Sequence, residues 1–202
     1  MSFSSEVKEE LSLQISPARH CQIAEIAAII SMCGKVSISC SDDFALKVQT
    51  ENLAVARKYF TLLRKTFNIV TEVQVRQNTG QKKTRAYTIG IKKHEDSLRV
   101  LQAAKLVNQD MEIEENLSLA DNLVIQKTCC KRAFIRGAFL ATGSISDPQK
   151  FYHFEIVCAT IHKAEQLRAM INSFEAEAKI VQRKKYYVVY LNEGAQIVDM
   201  LN

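Results

Sequence analysis

The 202-residue chain is 47% hydrophobic and holds only six glycines and two prolines, a composition that excludes disorder and lets a core form without disulfides. Its longest apolar stretch, around Ile23 to Ile30, is interrupted by Glu25, and the start MSFSSEVKEE lacks a basic-then-apolar leader. Neither reads as a bilayer span or a signal peptide, so a cytoplasmic protein without a membrane partner is expected. The net charge of +5 is modest but uneven: ten Lys/Arg stand against one acid, Glu72, between Arg57 and Lys93, and five acids stand without a base between Asp110 and Asp121. A polyanion is drawn to the first region and repelled by the second.

The first ten residues pattern as a short amphipathic helix capped by Ser4 or Ser5, with Phe3, Val7 and Leu11 on one side. Ser16-Pro17 then supplies an N-cap and a first-turn proline, and Gly34 a stop, which predicts a helix over 17–33. On it Ala24, Ala27, Ala28 and Ser31 form a small-sided stripe. After Gly34 the period changes to two: Val36, Ile38 and Cys40 lead through the turn Ser41-Asp42-Asp43 into Phe44, Leu46 and Val48, a hairpin with one apolar and one polar face. A helix over 52–67, a second hairpin over 69–77 and 84–92 with the loop NTGQKKT, and a helix over 94–107 complete a unit.

The order α-β-β-α-β-β-α then starts again. A helix from about Cys129 to Ala141 stops at Gly143 and carries a second small-sided stripe, Ala133, Gly137 and Ala141. Ser144–Ser146, the turn Asp147-Pro148-Gln149 and Tyr152–Val157 make a hairpin. A helix over 162–174, a hairpin over 177–183 and 186–191 turning at Lys184-Lys185, and the start of a closing helix cut short near Asn202 follow. Gly34 and Gly143 lie 109 residues apart, each between a small-sided helix and a hairpin, so the chain is read as an internal duplication. The expected domains are an N-terminal helical arm (1–16), repeat 1 (17–107), a linker (108–128) and repeat 2 (129–202). Small residues at that spacing let two helix backbones approach closely, so the two helices are expected to pair at a pseudo-twofold axis in a monomer.

The six cysteines (Cys21, Cys33, Cys40, Cys129, Cys130, Cys158) show no C-x-x-C spacing, and the adjacent Cys129–Cys130 pair is awkward for both zinc and a disulfide. They are read as reduced thiols, with no metal and no cofactor expected. His20, His94, His153 and His162 form no catalytic relay pattern. Tyr186, Tyr187 and Tyr190 alternate as part-core, part-surface strand residues.

The stretches IAAIISMCG (Ile26–Gly34) and IRGAFLATG (Ile135–Gly143) resemble the paired motif helices of the LAGLIDADG homing endonucleases. The run IRGAFLATGSISDPQKFYHFEI and the opening SFSSEVKEEL resemble the WhiA family, in which an endonuclease-like region precedes a helix-turn-helix domain. The resemblance implies an α+β fold of two tandem pseudo-symmetric LAGLIDADG-like repeats (αββαββα), with paired central helices and saddle-shaped antiparallel sheets that straddle double-stranded DNA. It also implies that aspartates before each helix-stop glycine would hold divalent metals for cleavage. Those positions are Cys33 and Thr142 here, and the earlier acidic positions are Ser31 and Leu140, so no nuclease is expected.

The polar saddle face is expected to bind DNA phosphates through Lys35, Lys47, Arg76, Lys82, Lys83, Arg85, Lys179, Arg183, Lys184 and Lys185. Glu155 on the matching face of repeat 2 works against this. The family likeness implies a nucleoid-associated transcription regulator of cell-division and sporulation genes, with other regulatory proteins as further partners. The alternative is a protein-interaction or ligand-sensing module that modulates a separate helix-turn-helix domain.

Overall fold

The computed structural model describes residues 1–80, 83–107, 110, 112, 113, 117 and 123–201. Helix α1 spans Phe3–Leu13 and is capped two to three residues earlier than the expected Ser4 or Ser5: Ser2 Oγ accepts from the Ser5 amide, at 3.2 Å. Phe3, Val7 and Leu11 pack on the core, the side predicted for them. Helix α2, Arg19–Cys33, begins later than expected. Ser16 does not cap it: its carbonyl instead accepts from Gln22 Nε2 at 2.8 Å, and Ala18 holds the cap position with no side-chain bond.

Strands β1 (Gly34–Ile38) and β2 (Phe44–Thr50) follow, then α3 (Leu53–Phe67), where Asn52 Oδ1 accepts from the amides of Ala54 and Val55 and Asn68 ends the helix at φ 56°. Strands β3 (Glu72–Gln77) and β4 (Arg85–Ile91) and helix α4 (His94–Ala103) complete the first unit. A short 3-10 turn, Leu123–Ile125, precedes α5 (Thr128–Thr142), β5 (Gly143–Ile145), β6 (Phe154–Cys158), α6 (Ile161–Asn172), β7 (Lys179–Arg183), β8 (Tyr186–Leu191) and α7 (Gly194–Leu201).

The duplication is plain in the topology. Two four-stranded antiparallel sheets carry the same order, β1-β2-β4-β3 and β5-β6-β8-β7, so each hairpin pair joins through its second strands. On one side of each sheet the alternate residues Leu46, Val48, Ile89 and Ile91, and Phe154, Ile156, Val189 and Leu191, are buried against helices. The other side carries the exposed residues Lys35, Lys47 and Gln49 in the first sheet and Lys179, Val181 and Arg183 in the second, where Val188 on that side is buried.

Helices α2 and α5 pair at the centre through the small-sided stripes. Ala24, Ala27, Ala28, Ala133 and Ala138 are fully buried. A β-carbon on Gly137 would sit 2.6 Å from the Glu25 carbonyl oxygen and 2.9 Å from the Ala28 β-carbon, so this crossing admits no side chain. Gly34 and Gly143 end the two helices in extended backbone (φ −88° and −85°), so neither is there for a left-handed turn. What they provide is room: a β-carbon would fall 2.5 Å from the Ile30 carbonyl oxygen and 2.3 Å from Phe139 Cδ2.

One polar group lies deep in this core. Glu25 on α2 meets Lys58 Nζ of α3 at 3.0 Å and Arg136 Nε of α5 at 3.6 Å. Lys58 also donates to the carbonyls of Leu11 and Gln14, so the same amine ties α1 to α3. Burial pushes the Glu25 carboxyl up and the Lys58 amine down, and their mutual attraction opposes both shifts.

Candidate nucleic-acid interface

Strand register places the predicted cations. Across the first sheet Lys35 stands opposite Lys47, Lys47 opposite Gly90, and Gly90 opposite Glu72, all on the open face. Arg76, opposite Ala86, shares that face. Arg85 does not: it alternates with Tyr87 and Ile89 on the helix side and is exposed only because the strand outruns the core there. Lys83 is exposed in the hairpin loop, and Lys82 lies outside the described residues.

In the second sheet the matching row is Ser144, Glu155, Tyr190 and Lys179. Arg183 shares this face, while Lys184 and Lys185 form the exposed β7–β8 turn, with Lys184 at φ 57°.

The two faces differ in charge. Lys35 and Lys47 are like charges directly opposite one another, an arrangement that costs stability, and neither forms an ion pair among the described residues. The acid in their row, Glu72, is held by Lys92 at 2.8 Å. In the second sheet Glu155 occupies the place of Lys47. It accepts from Ser144 Oγ, pairs with His153 Nε2 at 2.9 Å and with Arg183 at 3.3 Å. Partial burial works against the Glu155 carboxylate, but the bonds from His153 and Arg183 hold its pKa below the ordinary value. Arg183 is therefore engaged within the protein, whereas Lys179 forms no ion pair among the described residues. The predicted set divides into a face on repeat 1 whose Lys35, Lys47 and Arg76 form no ion pair among the described residues and a face on repeat 2 where Glu155 stands in place of Lys47 and engages Arg183.

At the C-terminal ends of the paired helices, Cys33 Sγ turns back to the Ile29 carbonyl at 3.3 Å, and burial pushes its thiol up to about 12. Thr142 Oγ1 donates to the Val157 carbonyl at 2.8 Å. Both side chains are spent on backbone, and Ser31 and Leu140 are buried.

Two amines occupy the same region. Lys163 of α6 donates to the Ser31 carbonyl at 2.6 Å, and Lys8 of α1 lies near Cys33 with its Nζ 5.6 Å from the centre of the Phe139 ring. Burial lowers the pKa of both. Ammonium groups suit the negative ends of helix dipoles, and they repel a divalent cation from that place. Sequence reasoning missed both lysines. Lys163 was open to detection, since it stands at i, i+4, i+7 with Leu167 and Met170 on the buried side of α6.

Comparison with known proteins agrees with this architecture. Residues 19–107 match the family model described as the WhiA N-terminal LAGLIDADG-like domain, and residues 131–202 the one described as the WhiA LAGLIDADG-like domain. The chain is 52% identical over 202 residues to "Probable cell division protein WhiA" of Lachnoclostridium phytofermentans, covering all of this chain and 64% of that protein. It is 41% identical over 203 residues to the protein of the same name from Alkaliphilus oremlandii, again covering all of this chain and 63% of that one. The chain thus spans less than two thirds of the length of these relatives.

Among solved structures, the N-terminal LAGLIDADG domain of DUF199/WhiA superposes with a TM-score of 0.74 at 20% identity, covering 99% of this chain and 88% of that one. The homing endonuclease I-DmoI, in complex with DNA and Ca, superposes with a TM-score of 0.61 at 12% identity, covering 89% of this chain and 87% of that one. At these identities the likeness is one of fold.

Proposed function

We propose that this chain, which belongs to the WhiA family, is the endonuclease-derived region of a transcription regulator and binds double-stranded DNA through its open sheet faces without cutting it. The observation that carries this reading is the Lys35–Lys47 pair. Two ammonium groups held side by side on an open face, with no acid to neutralise them among the described residues, destabilise the free protein and are relieved by a bound phosphate. The homing endonuclease I-DmoI, which shares this fold, was solved in complex with DNA, and this supports DNA as the ligand.

Repeat 1 carries most of the contact, through Lys35, Lys47, Arg76 and Lys83, and Lys179 adds to it from repeat 2. Such contacts grip phosphates and give little sequence selectivity, so choice of target falls to a helix-turn-helix domain of the whole regulator. The regulator works at the nucleoid as a monomer on cell-division and sporulation genes.

Loss of cleavage follows from chemistry at the helix ends. Cys33 and Thr142 offer no carboxylate for a hard divalent cation, and the Lys8 and Lys163 amines take up the negative helix ends. Supercoiled plasmid incubated with the protein and Mg²⁺ or Mn²⁺ stays intact; nicking abolished by a chelator would overturn this part.

The binding test is fluorescence anisotropy with duplex DNA at low salt. Lys35→Ala with Lys47→Ala weakens binding at least tenfold. A second reading, docking of another protein on the open face of repeat 2, is favoured by Val181 and Tyr186, which are 43% and 42% exposed there. Absence of DNA binding at low salt would leave that reading standing in place of the first.

A further inference from the structure

His20 and Cys21 lie in the first turn of α2, and Cys129 and Cys130 in the first turn of α5. The 109-residue offset that relates Gly34 to Gly143 also relates His20 to Cys129 and Cys21 to Cys130. The four residues are therefore the same two positions of the repeat, brought face to face where the helices begin.

His20 Nδ1 lies 3.1 Å from Cys130 Sγ, 3.4 Å from Cys21 Sγ and 4.0 Å from Cys129 Sγ. All four ligand atoms fall within 4.8 Å of one another. With Zn–S of about 2.3 Å and Zn–N of about 2.0 Å, a tetrahedral site has N–S edges of about 3.5 Å and S–S edges of about 3.8 Å. The observed spacing matches such a tetrahedron to within roughly an ångström, so small side-chain rotations suffice to seat an ion at its centre.

Use of cysteine as a small core residue does not account for this arrangement. Cys21 and Cys130 are buried, but Cys129 and His20 are exposed and still turn toward the buried thiols. The donor set has three sulfurs, one imidazole and no carboxylate, which rejects Mg²⁺ and Ca²⁺ and selects a thiophilic ion of tetrahedral preference.

The charge balance also fits. Three thiolates around a divalent ion leave one net negative charge at the positive N-terminal ends of two helices. Lys105 and Lys127 line an adjoining cavity of about 220 Å³ together with His20 and Cys130, adding positive charge and a path of entry.

We infer that His20, Cys21, Cys129 and Cys130 form a four-coordinate zinc site that staples the two repeats together at the start of α2 and α5. The site lies about 20 Å, nearly the length of these 15-residue helices, from their C-terminal ends at Cys33 and Thr142, where β1 and β5 begin. Its role is to fix how the two repeats sit on each other, and hence the spacing of their sheets. It stands independently of the DNA-binding reading.

The test uses the 202-residue chain without a polyhistidine tag, reduced, stripped with chelator and titrated anaerobically with cobalt(II) and then zinc(II) chloride. One cobalt binds per chain with the intense visible absorption of tetrahedral thiolate coordination, and zinc displaces it. Zinc at about a thousandfold excess over Kd raises Tm by about 10 °C.

Cys129→Ser and His20→Ala, both at exposed positions, leave the circular dichroism spectrum intact and weaken cobalt binding by more than about 100-fold. Cys40→Ser, outside the cluster, binds as the parent does. Cobalt absorption without thiolate character, or a Cys129→Ser chain that binds as tightly as the parent, would overturn the site. So would a reduced chain that ignores zinc and forms a Cys21–Cys130 disulfide in air.

Discussion

Replacing Gly137 by alanine tests the pairing of α2 and α5 at its tightest point. The new β-carbon would meet the Glu25 carbonyl oxygen at 2.6 Å and the Ala28 β-carbon at 2.9 Å, against ordinary contacts that begin at 3.4 Å. The first obstacle is backbone, so rotating a side chain cannot relieve it; the helices must separate by several tenths of an ångström along their shared stripe. A gap of that order forfeits about a quarter of the dispersion energy between the facing atoms of Ala24, Ala27, Ala28 and Ala133.

Overpacking of this kind costs about 1–3 kcal/mol. The higher helix propensity of alanine returns about 1 kcal/mol when the site is unstrained. With a backbone oxygen as the obstacle the cost falls at the upper end of that range, so the balance expected is a loss of about 2 kcal/mol, which for a chain of this size lowers Tm by about 4–8 °C. Urea denaturation with unchanged m-value provides the measurement, and Gly137→Val should lose more. A Gly137→Ala chain as stable as the parent, or more so, would refute the close-packed crossing.

Lys58→Met leaves Glu25 buried beside Arg136 alone and frees the Leu11 and Gln14 carbonyls; unfolding stability should fall by about 3–5 kcal/mol, with faster hydrogen exchange in α1. Glu155→Gln probes the depressed carboxylate: the parent should exceed the variant by about 0.5 kcal/mol at about pH 7, since Arg183 is largely exposed and screened. Because the folded pKa lies below the ordinary 4.5, that advantage is complete above pH 4.5 and disappears as pH falls through the folded value; a difference unchanged down to about pH 2 would contradict it. Cys33→Asp combined with Thr142→Asp restores both carboxylates, yet plasmid cleavage with Mg²⁺ should stay absent, because the Lys8 and Lys163 amines neutralise the acids in place of metal. Cleavage by that double variant would show that the lysines do not close the site.

The parts of the fold set by local pattern were legible in the sequence. Period-two alternation found the hairpins, and the small-sided stripes with Gly34 and Gly143 found the paired helices and the duplication. A stop signal marks those glycines but does not reveal that Ile30 and Phe139 crowd the position. The Ser16-Pro17 start failed because the Ser16 carbonyl is claimed by Gln22, a bond that no N-cap pattern encodes.

Long-range pairing was the main loss. Lys58 counted as part of a basic surface until α1 folded over it and Glu25 met it from α2. Cys21 and Cys130 showed no ligand spacing because each repeat contributes only half of the cluster. Arg85 was assigned to the open face because alternation was read from the polar residues, whereas its register opposite Gln77 puts it on the helix side.

The proposed grip of the cationic face of repeat 1 on DNA phosphates is ionic, so it weakens as salt rises. The dependence of duplex DNA affinity on salt measures it. Four to five phosphate contacts from Lys35, Lys47, Arg76, Lys83 and Lys179 predict a slope of log K against log [salt] of about −4, flattening by about 2 when Lys35 and Lys47 are both alanine. An affinity independent of salt, or a slope untouched by that double substitution, would contradict the account.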